Sequence, residues 1–396
     1  LGLSERKRAV NEMTSVPQVP MVRAGSFCGS RAEFRRLVLR GGLLELITLG
    51  FYRFWLATDM RRHLWANTAL DGDAAEYTGT GKELLLGFLM AVAILAPLYI
   101  GYFLLGIEAE SLQTFASVPL VVLFYLFSQF AIYRARRYRL TRTVWRGVRF
   151  WMTGSGWAYA LRASLWALAV LLTFGLLLPW RTAALERYKM NHSHYGELQG
   201  RFEGRGIELF KRGWWIWALT LLIAVPLLWL PYLAIVVVPA LPVLFALYRA
   251  MEWRWWLSGL RFGAVHLQSA LPVAALIPLY WKVIGWSALL LLAFALYLGG
   301  FGAVIALLVG GDGETFRPEA LQNNVAMLVL TGIGYLLLIV GFNAVMRIYL
   351  LRDLWAKVVN TTTVYGLDAA AEVAAQGELA TALGEGFADG LDVAGF

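Results

Sequence analysis

Residues 48–83, TLGFYRFWLATDMRRHLWANTALDGDAAEYTGTGKE, are written again further along the chain, and that recurrence governs the reading of the rest. Moved forward by 125 positions without a gap, Thr48, Gly50, Trp55, Arg62, Gly79, Gly81 and Glu83 fall on Thr173, Gly175, Trp180, Arg187, Gly204, Gly206 and Glu208. Moved by 75, Arg61, Arg62, Thr68, Gly72, Thr78, Gly79 and Gly81 fall on Arg136, Arg137, Thr143, Gly147, Thr153, Gly154 and Gly156. Two fainter echoes follow, Tyr248-Arg249-Ala250 with Trp253-Arg254 and Asn360-Thr361. Recurrence on this scale marks one supersecondary unit stacked on its neighbours. Each copy reads as a basic helix, a turn through Gly72 or Gly147, a short strand such as Glu76-Tyr77-Thr78, and a Gly-x-Gly release into an apolar run.

Composition places these modules at a membrane. Of 396 residues 59% are hydrophobic and only 15% charged, too little polar surface for a soluble globule. Mean hydropathy is +0.61. The single cysteine, Cys28, excludes a disulfide framework or a cysteine-based metal site within one chain. A formal charge of +9 points first to cytoplasmic loops rather than to nucleic acid.

Leu84 to Ile107 and Ser111 to Tyr133 are uncharged and long enough to span a bilayer, with Glu108 and Glu110 between them. The uncharged run from Gly213 to Tyr248 is broken by Pro226, Pro231, Pro239 and Pro242 and reads as a tight hairpin. Val283 to Gly311 and Ala320 to Met346 make a third pair around GDGETFRPE. With this topology 34 of the 35 basic residues share one side, leaving Arg317 opposite, and the positive-inside rule makes that side cytoplasmic with both termini there. The fold expected is therefore an all-α polytopic membrane protein of about six transmembrane helices in three hairpins. Small repeated cytoplasmic βα modules and dipping or interfacial helices join them.

Residues 1–24 carry Arg6-Lys7-Arg8 without an apolar run behind them, so a mobile cytoplasmic tail is expected and not a cleaved signal. The first module occupies 25–83, the first hairpin 84–133, and the second and third modules 134–212. Within these, 163–180 is long enough to span but joins two basic copies that belong on one side. Because Thr173 to Trp180 matches Thr48 to Trp55, both are read as helices that dip into the membrane and return, or lie along it. The second hairpin (213–248), a degenerate fourth module (249–282), the third hairpin (283–346), a degenerate fifth module (347–366) and an acidic tail (367–396) complete the chain. Phe262 to Trp281 is a further segment that either spans or dips.

Phe27-Cys28-Gly29, LLELITLGFYRFW (43–55), Asn67-Thr68, the Tyr-x-Gly-x-Gly ending at 77–81 and GEGFADGLD (384–392) together resemble the YjgN-like family of bacterial inner-membrane proteins. The resemblance spans nearly the whole chain and weakens in the middle, where Arg142 and His192 stand in register with Asn67. It implies a polytopic cytoplasmic-membrane protein and carries no established activity.

The basic residues at equivalent positions, Arg61, Arg62, Arg136, Arg137, Arg187 and Lys189, are candidates for binding an anion or a lipid headgroup. Internal pairing with Glu83, Glu208 or the acidic tail explains them equally well. Gly79, Gly81, Gly154, Gly156, Gly204 and Gly206 lack the βαβ context of a phosphate cradle and read as structural turns into the helices that follow. His192 and His194 have no further ligand at metal spacing, the tryptophans fall near the span ends, and no hydrolase, zincin or Walker motif occurs. No metal or cofactor is expected. The leading functional expectation is a non-catalytic membrane scaffold or lipid- or anion-binding protein. Its partners would be membrane lipids and a membrane-associated protein, not nucleic acid. The alternative is a transporter or channel for a small anionic solute or lipid, and third comes a membrane-embedded enzyme.

Overall fold

The computed structural model describes residues 23–108, 113–227, 229–230, 234–309, 325–377 and 379. The N-terminal tail to residue 22, the loop with Glu110, Pro231, the GDGETFRPE loop and the acidic tail beyond 379 lie outside the described residues.

The chain runs β1 (Arg23–Phe27), α1 (Arg31–Ile47), α2 (Arg53–Ala66), β2 (Thr68–Leu70), β3 (Asp73–Tyr77), α3 (Gly81–Glu108) and α4 (Gln113–Thr141). It continues with β4 (Thr143–Trp145), β5 (Val148–Met152), α5 (Gly156–Leu172), α6 (Leu178–Asn191), β6 (Ser193–Tyr195) and β7 (Leu198–Phe202). Then come α7 (Gly206–Leu227), α8 (Ala234–Gly259), β8 (Leu260–Phe262), β9 (Val265–Ser269), α9 (Ile277–Val309), α10 (Val325–Met346), α11 (Leu354–Asn360) and β10 (Thr362–Tyr365). A π-helical stretch, Arg347–Asp353, joins α10 to α11.

The ten strands form one closed antiparallel barrel in the order β1-β10-β9-β8-β7-β6-β5-β4-β3-β2. Four hairpins are local. In the fifth the last strand is completed by the first, with Arg23 opposite Val364 and Ala24 opposite Thr363. Phe27 then faces Thr68 on the other side, so no edge is left unpaired. Each hairpin feeds a pair of helices, and all five pairs leave the barrel from the rim opposite the hairpin turns.

Alternation along the strands sorts inside from outside. Facing pairs put Ala75 with Trp145, Trp145 with Val148, Phe150 with Tyr195 and Phe262 with Val265 on one wall, and these residues share one apolar cluster. The opposite wall carries Glu76, Arg149, Trp151, His194, Gln199, Arg201, Arg261, His266 and Gln268. A polar outer wall around an apolar interior suits water, whereas a membrane barrel shows the reverse. At the hairpin end, Gly366 turns the chain with φ +69. Leu367 and Ala370 of the following short helix are buried in the same cluster, so this segment stoppers the mouth.

The expectation of an all-α protein with six spanning helices in three hairpins is therefore corrected. The βα modules are not separate lobes; their strands join into one barrel. Among the described residues three helices are long and apolar enough to cross a membrane, Gly81–Phe103, Val273–Val304 and Leu328–Asn360. Two of the runs read as spans continue without a break into charged helix ends, α4 through Arg134, Arg136, Arg137 and Arg139 and α8 through Glu252 and Arg254. The three apolar helices associate the protein with a membrane.

Candidate functional site

The sequence-selected cations form a collar where the helices meet the barrel rim. Arg61 is 2% exposed; its guanidinium lies against the Tyr77 ring and donates from Nη1 to Tyr77 Oη at 3.2 Å. Arg62 Nη2 donates to the Gly79 carbonyl at 2.9 Å, and Arg187 Nη2 to the Gly204 carbonyl at 3.4 Å. The residues that match in register thus make the matching contact: each arginine reaches the first glycine of the next Gly-x-Gly. Arg137 is engaged as well.

Arg136, Glu186 and Lys189 assemble into one half-buried ionic cluster. Arg136 Nη1 meets Glu186 Oε2 at 3.2 Å, its other nitrogen lies 3.3 Å from Met190 Sδ, and Lys189 pairs with the remaining carboxylate oxygen. Burial opposes the charge on Glu186, but Lys189 and Arg136 outweigh it and bring its pKa down to about 2. Burial likewise works against the Lys189 ammonium and lowers its pKa, with Glu186 acting in the other direction. Two cations therefore share one ionised carboxylate in a place where unpaired charge is costly.

Glu83 holds the adjoining joint. Its Oε2 accepts from Tyr138 Oη at 2.6 Å and from Arg142 Nε at 3.0 Å, while its place in the first turn of α3 suits the helix dipole. Burial, then the neighbouring Tyr77 and Glu83, raise the Tyr138 pKa far above its ordinary value, keeping it a donor. Glu208 makes no ion pair among the described residues. The collar is fastened at the chain ends by Arg347, bidentate to Glu45 at 2.9 and 3.2 Å, and by Arg31 with Asp353 at 3.0 Å.

The glycines serve packing. A side chain on Gly79 would meet the Tyr77 ring at 2.7 Å, and one on Gly204 the Phe202 ring at 2.6 Å. Gly81 and Gly206 let their helices approach the Trp55 and Trp180 backbones to within 2.9 and 2.7 Å of where a Cβ would stand, and Gly156 abuts Phe130. Gly154 adds a φ of +84. His194 stacks on Trp151 at 4.2 Å, and His192 packs on Tyr188. Among the described residues no three of His, Cys, Asp and Glu gather as a metal site.

Sequence reasoning passed over Glu186, the centre of the ionic cluster. Its signal was present: the shift that brings Arg62 onto Arg187 brings Arg61 onto Glu186, a sign inversion in a basic column. Arg142, noted only as a departure from Asn67, is the partner of Glu83.

The fold and collar define a membrane-associated protein whose helix pairs are mounted on a closed, water-facing barrel. The chain belongs to DUF898, a family of bacterial proteins of unknown function, which matches residues 23–240 and with which the YjgN-like resemblance agrees. No curated protein and no solved structure matches it.

Proposed function

We propose that the protein is a non-catalytic, multi-pass scaffold of the bacterial cytoplasmic membrane, built from five copies of one strand–strand–helix–helix module. The observation that carries this reading is the filled barrel. Trp145, Phe150, Tyr195 and Phe262 occupy its interior and Leu367 closes its mouth, so the symmetry axis serves as a packed hub and not as a path for solute. The collar cations are spent on carbonyls, aromatic rings and carboxylates of the chain itself. What faces outward is apolar helix surface, exemplified by Leu292, Leu296, Leu328 and Tyr335, available to lipid or to a membrane-embedded partner. The arginine-rich segments joining the helices to the strands support a cytoplasmic barrel.

One observation favours lipid or anion binding beside the scaffold role: Arg136 and Lys189 share a single carboxylate, so their cluster keeps a net positive charge. Purified protein in sealed vesicles tests the two together. The scaffold reading expects no protein-dependent flux of chloride, phosphate or labelled phospholipid, and a partner protein retained on gentle extraction. Saturable flux that disappears in Arg136→Gln would overturn it in favour of transport.

A further inference from the structure

We propose that the tips of the two short helix pairs, at Leu49 and Phe174, insert into the acyl layer of the nearer leaflet of an anionic membrane and stop there. This rests on the membrane placement argued above but not on the scaffold role.

The two tips share one turn. Thr48 Oγ1 donates to the Leu44 carbonyl at 2.7 Å and accepts from the Tyr52 amide at 2.9 Å. Thr173 Oγ1 does the same with Ala169 and Leu177, at 2.8 and 3.3 Å. The next residue takes a left-handed backbone, φ +51 at Leu49 and +48 at Phe174, followed by Gly50 and Gly175 at +90 and +88. Such positions favour Gly, Asn or Asp, because a Cβ crowds the carbonyl there. Here they hold large apolar side chains that are 88% and 83% exposed. Both choices are unfavourable in water, and no packing among the described residues offsets them; contact with hydrocarbon would.

The surfaces leading to the tips agree. Leu39, Leu43 and Ile47 line one exposed face of α1, and Trp157, Leu161, Leu165, Leu168 and Leu172 one face of α5. Arg36 and Arg40 lie on that same α1 face nearer the barrel, with Arg35 at its flank; all three are exposed and make no ion pair among the described residues. At 1.5 Å per residue, Ile47 stands about 10 Å beyond Arg40. Cations at headgroup depth with leucines one or two turns deeper is the order of an interfacial helix on an anionic leaflet. Penetration is limited, because α1 and α5 have 17 residues each, about 25 Å of helix including the charged base, against a hydrocarbon core of about 30 Å. The second tip is also pinned: Trp217 Nε1 of α7 donates to the Phe174 carbonyl at 3.2 Å, at the level of the exposed Trp214.

Depth-dependent fluorescence quenching of the full chain in vesicles tests this. With Cys28→Ser as background, single Leu49→Cys, Phe174→Cys and Leu292→Cys variants carry an environment-sensitive probe, Leu292 marking a candidate spanning helix. Vesicles are phosphatidylcholine with or without phosphatidylglycerol. Tip probes are expected to be quenched several-fold more by nitroxides near the top of the acyl chain than by aqueous iodide or by nitroxides near its end, whereas Leu292 is quenched best by the deep ones. Changing Arg35, Arg36 and Arg40 to Gln should raise the Leu49 probe toward water and remove its response to phosphatidylglycerol. Tip probes open to iodide while Leu292 stays deep would overturn the inference and leave the membrane placement standing; all three open to iodide would overturn both. Tips shielded from iodide and from every nitroxide would mean a protein covers them, which also overturns it. An Arg35/Arg36/Arg40 variant whose probe does not move would refute the anionic requirement.

Discussion

Asn360, the last residue of α11, accepts a hydrogen bond from the Phe27 amide at 2.7 Å, tying the end of the first strand to the helix that leads into the last. Together with the Arg23–Val364 pairing this contact closes the barrel across almost the whole length of the chain.

Asn360→Ala leaves the Phe27 amide half-buried and without its acceptor. A loss of about 1–3 kcal/mol is expected, seen as a lower midpoint in thermal unfolding of detergent-solubilised protein. Asn360→Asp, which keeps an acceptor in place, should recover most of it; equal damage from both changes would mean that this bond does not secure the seam.

Glu186 predicts a pH dependence. Because its folded pKa of about 2 lies below the ordinary 4.5, the ionised carboxylate adds stability above pH 4.5, and that contribution is lost as pH falls toward 2. Glu186→Gln should cost about 1–3 kcal/mol at neutral pH, since it leaves the half-buried Arg136 and Lys189 without their carboxylate. The gap between variant and wild type should narrow through the window from 4.5 to 2. A gap that is constant across this range would show that Glu186 is not ionised in the folded protein.

Gly79→Ala and Gly204→Ala each drive a methyl into an aromatic ring, at 2.7 and 2.6 Å, and should destabilise by about 1–3 kcal/mol. Gly72→Asn is the contrast. Its turn has φ +85 but open space around it, and Asn tolerates that region, so a change under about 1 kcal/mol is expected. Chemical denaturation of the three variants separates packing from backbone freedom.

Arg62→Gln and Arg187→Gln remove donors to the Gly79 and Gly204 carbonyls, and about 1 kcal/mol each is expected. The stabilisation of the protein by added phosphate or sulfate should be the same in both variants as in wild type. A variant that loses that response would return these arginines to the role of an anion site.

Much of the local geometry could be read from residues 48–83. Thr48 and Thr173 sit in the same turn, and Arg62 and Arg187 meet glycines 17 positions ahead of each. These contacts are short in sequence, so one shared pattern of residues is enough to specify them. The ionic cluster was half legible: its cations were selected and Glu186, three residues from Lys189, breaks a basic column, but nothing local ties that carboxylate to Arg136, 50 residues away.

The sequence by itself determined that the chain belongs in a membrane, because an uncharged run such as 84–107 has nowhere else to bury its surface. It also determined where each module turns, since glycine, threonine and proline act on their immediate neighbours. Only the tertiary structure decided that the modules close into a barrel. The sequence marks one short strand per module, near Glu76-Tyr77-Thr78, but strands of three to five residues carry too little alternation to announce the rest, and Arg23–Phe27 straddles the expected tail and the first module. Their partners lie as far off as Val364, and a hydrogen-bond ladder leaves no mark in the sequence on either side. Closure comes from satisfying every backbone group at once, a condition that belongs to the assembled sheet and to no single stretch of it.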